Sequence, residues 1–307
     1  MATSATTSRI SRRHIQIALG LLWLLDGALQ LQHQMFTSAF ANQVIVPATQ
    51  TQPLIISSPT HFALHILLRH PAFFDACFVL VQLTLGILIL RKRSTKLGLK
   101  ASVAWGLIVW YFGEGLAGLL SGHASLLMGA PGAALLYAVL ALAVMPSGKD
   151  NRPAYWLPLA WAIFWIGGAI YQLLPDQNST SVLSSMISGM TNGAPGWLAS
   201  LQIHAANFLN GKSFSTIVVL AASQALIGIL ILLPGYSRKI AIGAGIILSL
   251  IFWFVGQGLG TYYSGLATDP NSAPLFILLG VAILGCRYLP FNQLRRSATH
   301  DFEQLII

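Results

Sequence analysis

Residues 110–131 read WYFGEGLAGLLSGHASLLMGAP, and residues 253–274 read WFVGQGLGTYYSGLATDPNSAP. The two stretches align without a gap, with Trp, Gly, Ser and Pro at matching places. The likeness extends outward from them. VQLTLGILIL (81–90) returns as SQALIGILIL (223–232), Gly27-Ala28 as Gly168-Ala169, His61 as His204 and Arg69 as Lys212. The chain therefore repeats itself at about 142 residues, which predicts two copies of one folding unit, 1–150 and 151–307.

What that unit is follows from composition. Of 307 residues 55% are hydrophobic and 8% charged, with a mean hydropathy of +0.70. An ordinary soluble chain carries about 25% charged residues, so a soluble enzyme and a disordered chain are excluded. The net charge of +9 does not point to a nucleic-acid partner, because an integral membrane protein acquires such an excess from its cytoplasmic loops. Cys77 and Cys286 are the whole cysteine complement, too few for a disulfide framework or a thiolate metal cage.

A membrane-spanning helix needs about 20 mainly apolar residues. Eight segments qualify, at about 15–33, 72–90, 101–120, 131–147, 156–174, 214–233, 240–258 and 274–290. On this assignment 15 of the 17 basic residues fall on one side, including the 91–100 loop RKRSTKLGLK, and only Arg69 and Lys212 fall on the other. The positive-inside rule then predicts a multi-pass protein of a bacterial cytoplasmic membrane, embedded in the lipid bilayer with both termini cytoplasmic. Ser11-Arg12-Arg13 followed by Ala39-Phe40-Ala41 resembles an export signal with a cleavage site. Asp26 inside the apolar stretch, and the stretch's internal counterpart, argue for a retained span. Each half holds four spans, so the halves run parallel, which excludes an inverted repeat. The expected fold is all-α: eight transmembrane helices as two parallel four-helix repeats, with short outer-surface helices at 60–70 and 195–210.

Eight acidic residues exist, and Asp26, Asp75 and Glu114 lie within expected spans. Acids at membrane depth are costly and mark function by default. Gln30 and His33 follow Asp26 at i+4 and i+7, so the three share one helical face. At ~1.5 Å per residue, Asp26 and Glu114 fall within about 5 Å of the midplane on the outer side. His61 and His65 share a face at i,i+4, with His70 and His123 near the same side. Imidazoles so spaced suit copper, iron, zinc or haem. Histidine with a carboxylate equally suits proton exchange with a quinone.

Plainer roles cover the other polar positions. Asp75 sits at a helix start, where the dipole welcomes an acid. Gln82, Gln224 and Gln257 suit interhelical hydrogen bonds, and the small residues of GEGLAG (113–118) suit close helix packing. Asp26 and Glu114 are different, because the repeat discards them. Asp26 becomes Gly167, Glu114 becomes Gln257, His65 becomes Phe208 and His123 becomes Leu266, while Trp253, Gly256 and Gly258 keep the packing residues. This predicts one outward-facing site in the first half, with 151–307 as scaffold.

LGLLWLLDGALQL (19–31) and VQLTLGILILRKRSTKLG (81–98) resemble the DoxX/DoxD family of small bacterial membrane proteins, here tandemly duplicated. Family members often carry glutamate at the position of Gln82. The family includes a membrane subunit of a thiosulfate:quinone oxidoreductase, so the resemblance implies a redox-associated, quinone-facing protein with a periplasmic or membrane redox partner. The combined expectation assigns Asp26 and Glu114 to proton handling. Gln30, His33 and His61 bind the cofactor, a quinone, haem or copper, and His61 with His65 holds any metal. A non-enzymatic subunit of a larger complex and a small-solute or proton transporter are the rival readings.

Overall fold

A computed structural model describes residues 10–50, 52–146, 150–175 and 177–286. The described residues form helices and no strands. In the first half these are α1 (Arg12–Leu29), the short turns α2 (Ser38–Phe40) and α3 (Val46–Thr49), α4 (Leu54–Leu67), α5 (Pro71–Leu90), α6 (Thr95–Phe112) and α7 (Ala133–Ala143). In the second half α8 (Leu157–Gln172), α9 (Thr180–Gly189), α10 (Gly196–Leu209), α11 (Phe214–Leu230), α12 (Tyr236–Val255) and α13 (Ser272–Gly285) follow. Lys149, the basic tail from Arg287 onward and the end of the last expected span lie outside the described residues.

Among the described residues, α5 and α12 are each long and apolar enough to cross a membrane, and α10 with α11 forms an apolar pair bent by 116°. Helices α4, α7, α8 and α13 are apolar but shorter. Helix α1 has 18 residues but carries Arg12, Arg13 and Asp26. The polar and apolar residues are distributed as in a protein that faces lipid. Leu21, Leu80, Ile87, Ile163, Val219 and Ile247 are exposed, while Gln16, Asp26, Gln82, Gln202, Gln224 and Gln257 are buried.

Packing follows the glycines and the basic residues. Helices α1 and α5 form one tight pair, and α8 and α11 another. A Cβ on Gly86 would stand 2.8 Å from the Gly20 carbonyl oxygen, so only hydrogen fits where these backbones cross. At the basic end, the Arg13 guanidinium donates to the carbonyl oxygens of Ile89, at 3.0 Å, and of Leu90. Arg238 Nε donates to the Ile231 carbonyl at 3.3 Å. The cationic loops thus also satisfy the carbonyls left open at the C-terminal ends of α5 and α11.

The expected third span is corrected by the structure. Helix α6 stops at Phe112, and GEGLAG is not a packing surface within a helix. Gly115, Leu116, Ala117 and Gly118 have φ of 53°, 54°, 51° and 77°, a complete left-handed turn. Gly258, Leu259, Gly260 and Thr261 repeat it with φ of 52°, 56°, 72° and 54°. L-residues disfavour this region, so the glycines lower the cost of a turn that ends each helix.

The hydrogen bonds beyond these turns also occur twice. Trp110 Nε1 donates to the Pro131 carbonyl at 2.7 Å, and Trp253 Nε1 donates to the Pro270 carbonyl at 2.8 Å. Trp and Pro are 21 residues apart in the first case and 17 in the second. Pro131 therefore corresponds in space to Pro270, not to Pro274 as the gap-free match expects. The second loop is four residues shorter, and Asp269 lies in it directly before Pro270.

Candidate functional site

The first half encloses a cavity of about 420 Å³ between α1, α4, α5, α6 and α7, within the ~300–1,000 Å³ of ordinary ligand pockets. Its walls are largely apolar and include the rings of Trp23, Phe40, Phe74, Phe78, Trp105 and Phe112. Asp26, Gln30, Gln82, Glu114, Tyr137, Thr268 and Asp269 supply the polar lining.

Each polar side chain is placed by its element. Asp26 and Gln30, four residues apart at the end of α1, both line the cavity, as their shared face predicts. Gln30 Nε2 donates to Asp75 Oδ1 at 2.5 Å, so Asp75 is a buried partner that orients Gln30 and not only a group favoured by the α5 dipole. Glu114 stands between α6 and the left-handed turn. Its Oε1 accepts the Ala134 backbone N–H at 3.0 Å, at the start of α7. Gly132 leaves room for this carboxyl, since a Cβ there would stand 2.1 Å from Glu114 Oε2. Gln257 accepts the Ala273 N–H at 3.0 Å in the same way, but its Nε2 also donates to the Leu126 carbonyl and to Ser272 Oγ, each at 3.2 Å. The amide is tied down on every side, whereas Glu114 Oε2 has no hydrogen-bond partner.

Asp26 is less satisfied still. It is 1% exposed, and neither carboxyl oxygen has an aligned partner. The Tyr137 hydroxyl is its hydrogen-bonding neighbour, but the pair is poorly aligned. Gln82 Oε1 and Trp105 Nε1 are likewise buried and unpartnered. Buried polar atoms normally find partners; unpartnered ones also occur elsewhere, at Trp161, Gln202 and Gln224 for example, but those of Asp26, Gln82, Trp105, Glu114 and Tyr137 share this cavity.

Asp269 and Thr268 were not expected in this site, and they qualify the reading of 151–307 as scaffold. They belong to the shortened loop before α13 and reach the cavity of the other half. Asp269 accepts Thr268 Oγ1 at 2.6 Å and the Asn271 N–H at 2.7 Å. Burial holds its carboxyl above the ordinary carboxylate range, against the lowering effect of those two hydrogen bonds. The scarcity of acids was the available signal, but Asp269 lies between expected spans, where an acid draws no attention.

The histidines do not join this group. His33, His61 and His65 are exposed and line no part of the cavity. Among the described residues no three His, Cys, Asp or Glu side chains are placed to hold a metal ion. His61 and His65 do share a face, as their spacing predicts, but it is the outward face of α4, because Thr60, Leu64 and Leu67 take the inner one.

The second half has a cavity of about 390 Å³ at the corresponding place, lined by Leu127, Leu183, Ile187, Phe208, Leu220 and their neighbours. Among the described residues none that lines it is ionisable. No family model matches the chain, and neither does any characterised protein or solved structure.

Proposed function

We propose that this chain is an eight-span membrane protein of two parallel four-span units, whose first unit binds a quinone or quinol and handles its protons through Asp26 and Glu114. One observation carries the reading: aromatic rings in an apolar wall and carboxyl groups without full hydrogen bonding line a single cavity. A flat, apolar ring suits the walls. Its oxygens suit a group of acids and amides that gain hydrogen bonds only when the ring is present. Reducing a quinone takes up two electrons and two protons, and oxidising a quinol releases them. Asp26 and Glu114 supply or accept the protons, and a redox partner at the outer face supplies or accepts the electrons. The DoxX/DoxD resemblance agrees with this role. Shorter helices fit an eight-span chain because irregular backbone is tolerated at membrane depth where it lines a cavity or is buried in protein, as at 113–132.

Binding of decylubiquinone and decylubiquinol to the full chain in lipid nanodiscs tests the proposal through quenching of tryptophan fluorescence, since Trp23 and Trp105 line the cavity. Saturable quenching that Glu114→Gln weakens at least about tenfold, or about 1.4 kcal/mol, is the expected result. Quenching that does not saturate, or that ignores Glu114→Gln, overturns it.

A further inference from the structure

The cavity wall holds a second piece of information, which concerns how a ligand arrives. Most of the lining is buried or half-buried, and the exposed members are Ile66 at 40%, Ile108 at 49% and Phe112 at 37%. All three are apolar. Ile66 comes from α4, and Ile108 and Phe112 come from one face of α6, so they mark a seam between these two helices. The most exposed part of the lining is therefore apolar, whereas the polar lining residues Glu114, Thr268 and Asp269 are half-buried. Asp26, Gln30, Gln82 and Tyr137 come from α1, α5 and α7 and Thr268 and Asp269 from their loop, while Glu114 lies just beyond the end of α6 and Thr60 lies on α4.

We infer that the seam between α4 and α6 is a lateral portal, through which a bilayer-dissolved molecule with a hydroxyl-bearing head group passes into the cavity head first. Two independent features support that ligand class. Asp26, Gln82 and Tyr137 are each more than nine-tenths buried, line the cavity and carry oxygens without an aligned partner. Asp26, Gln82 and Glu114 present acceptor oxygens and Tyr137 and Trp105 present donors, so a hydroxyl head group, which both donates and accepts, satisfies them. The apolar rim then contacts the remainder of the molecule, so a tail need not be enclosed and can stay in the bilayer. The identification of the ligand as a quinol rests on the proposed function, whereas the portal does not.

Thiol labelling separates the two. Ala63→Cys places a reporter on the cavity wall with little change in size, in a Cys77→Ser, Cys286→Ser background in nanodiscs. An uncharged maleimide that partitions into lipid is expected to label it, and a sulfonated maleimide is not. Adding Ile108→Trp at the rim should abolish labelling by the lipid-soluble reagent. Phe112→Trp provides the same block if Ile108→Trp misfolds. Labelling by the sulfonated reagent at a matching rate, or no loss on blocking the rim, overturns the portal. Decylubiquinol at about ten times its Kd should slow labelling about tenfold. Lack of protection by decylubiquinol, with the rim block intact, leaves the portal standing and overturns the quinol reading.

Discussion

Asp26 and Glu114 differ from ordinary buried acids in what surrounds them. Removing an unpartnered buried polar group recovers its desolvation cost, about 1–3 kcal/mol. Asp26→Leu, close in size, should therefore raise the thermal midpoint in detergent while abolishing quinol binding, the pattern expected where stability is sacrificed to function. Glu114→Gln retains the oxygen that accepts Ala134 N–H, so the protein should fold with a stability change under about 1 kcal/mol and bind quinol at least about tenfold more weakly. Gln257→Glu makes the opposite separation. It forfeits the donations to Leu126 and Ser272 and should destabilise by about 1–3 kcal/mol, with binding per folded molecule unchanged. Differential scanning alongside binding measures each pair. At this scale Asp26, Gln30 and Glu114 were legible because an acid in an apolar run stands out. Tyr137 was not, since a tyrosine in a hydrophobic helix looks like any other core residue.

The left-handed turns show how an element can be read correctly in composition and wrongly in conformation. GEGLAG and GQGLGT keep glycine at the first, third and sixth or fifth places, which is compatible with helix packing and with a run of positive φ alike. Only the backbone path separates them. Leu116 and Ala117 sit in that run at φ of 54° and 51°, at a cost of about 1–2 kcal/mol each. Ala117→Gly should thus stabilise by about 1 kcal/mol, whereas Gly115→Ala should destabilise, because its Cβ would stand 2.2 Å from the Ala48 carbonyl oxygen. Thermal unfolding of both variants checks the pair. The turn matters to the site because Glu114 immediately precedes it. Strained backbone tends to persist where the surrounding structure holds a functional group in place.

Across the whole molecule the halves exchange loops. Thr268 and Asp269 of the second half line the first cavity, and Leu127 of the first half lines the second. A Cβ on Gly129 would stand 2.2 Å from Asn271 Oδ1, and one on Gly256 would stand 2.3 Å from the Leu127 carbonyl oxygen, so both crossings are close-fitting. Expressing 1–150 alone should accordingly yield a unit with an incomplete site, whose quinol binding is restored by co-expressing 151–307; binding by the first half alone at full strength would contradict the exchange. The bilayer orientation has its own measurement, since cysteines in the 91–100 loop and near residue 151 should react from the cytoplasmic side alone. The sequence by itself determined the all-helical class, the apolar character of the helices and the face that brings Asp26 and Gln30 together. These properties are encoded by residues a few places apart, through helical periodicity and the cost of burying charge. Tertiary structure alone decided that Asp269 enters the first cavity, that the histidines of α4 face outward and that the second loop is in a different register. Those outcomes depend on contacts such as Gln32 with Ala267, 235 residues apart, and no local pattern specifies which of two similar loops packs into which half.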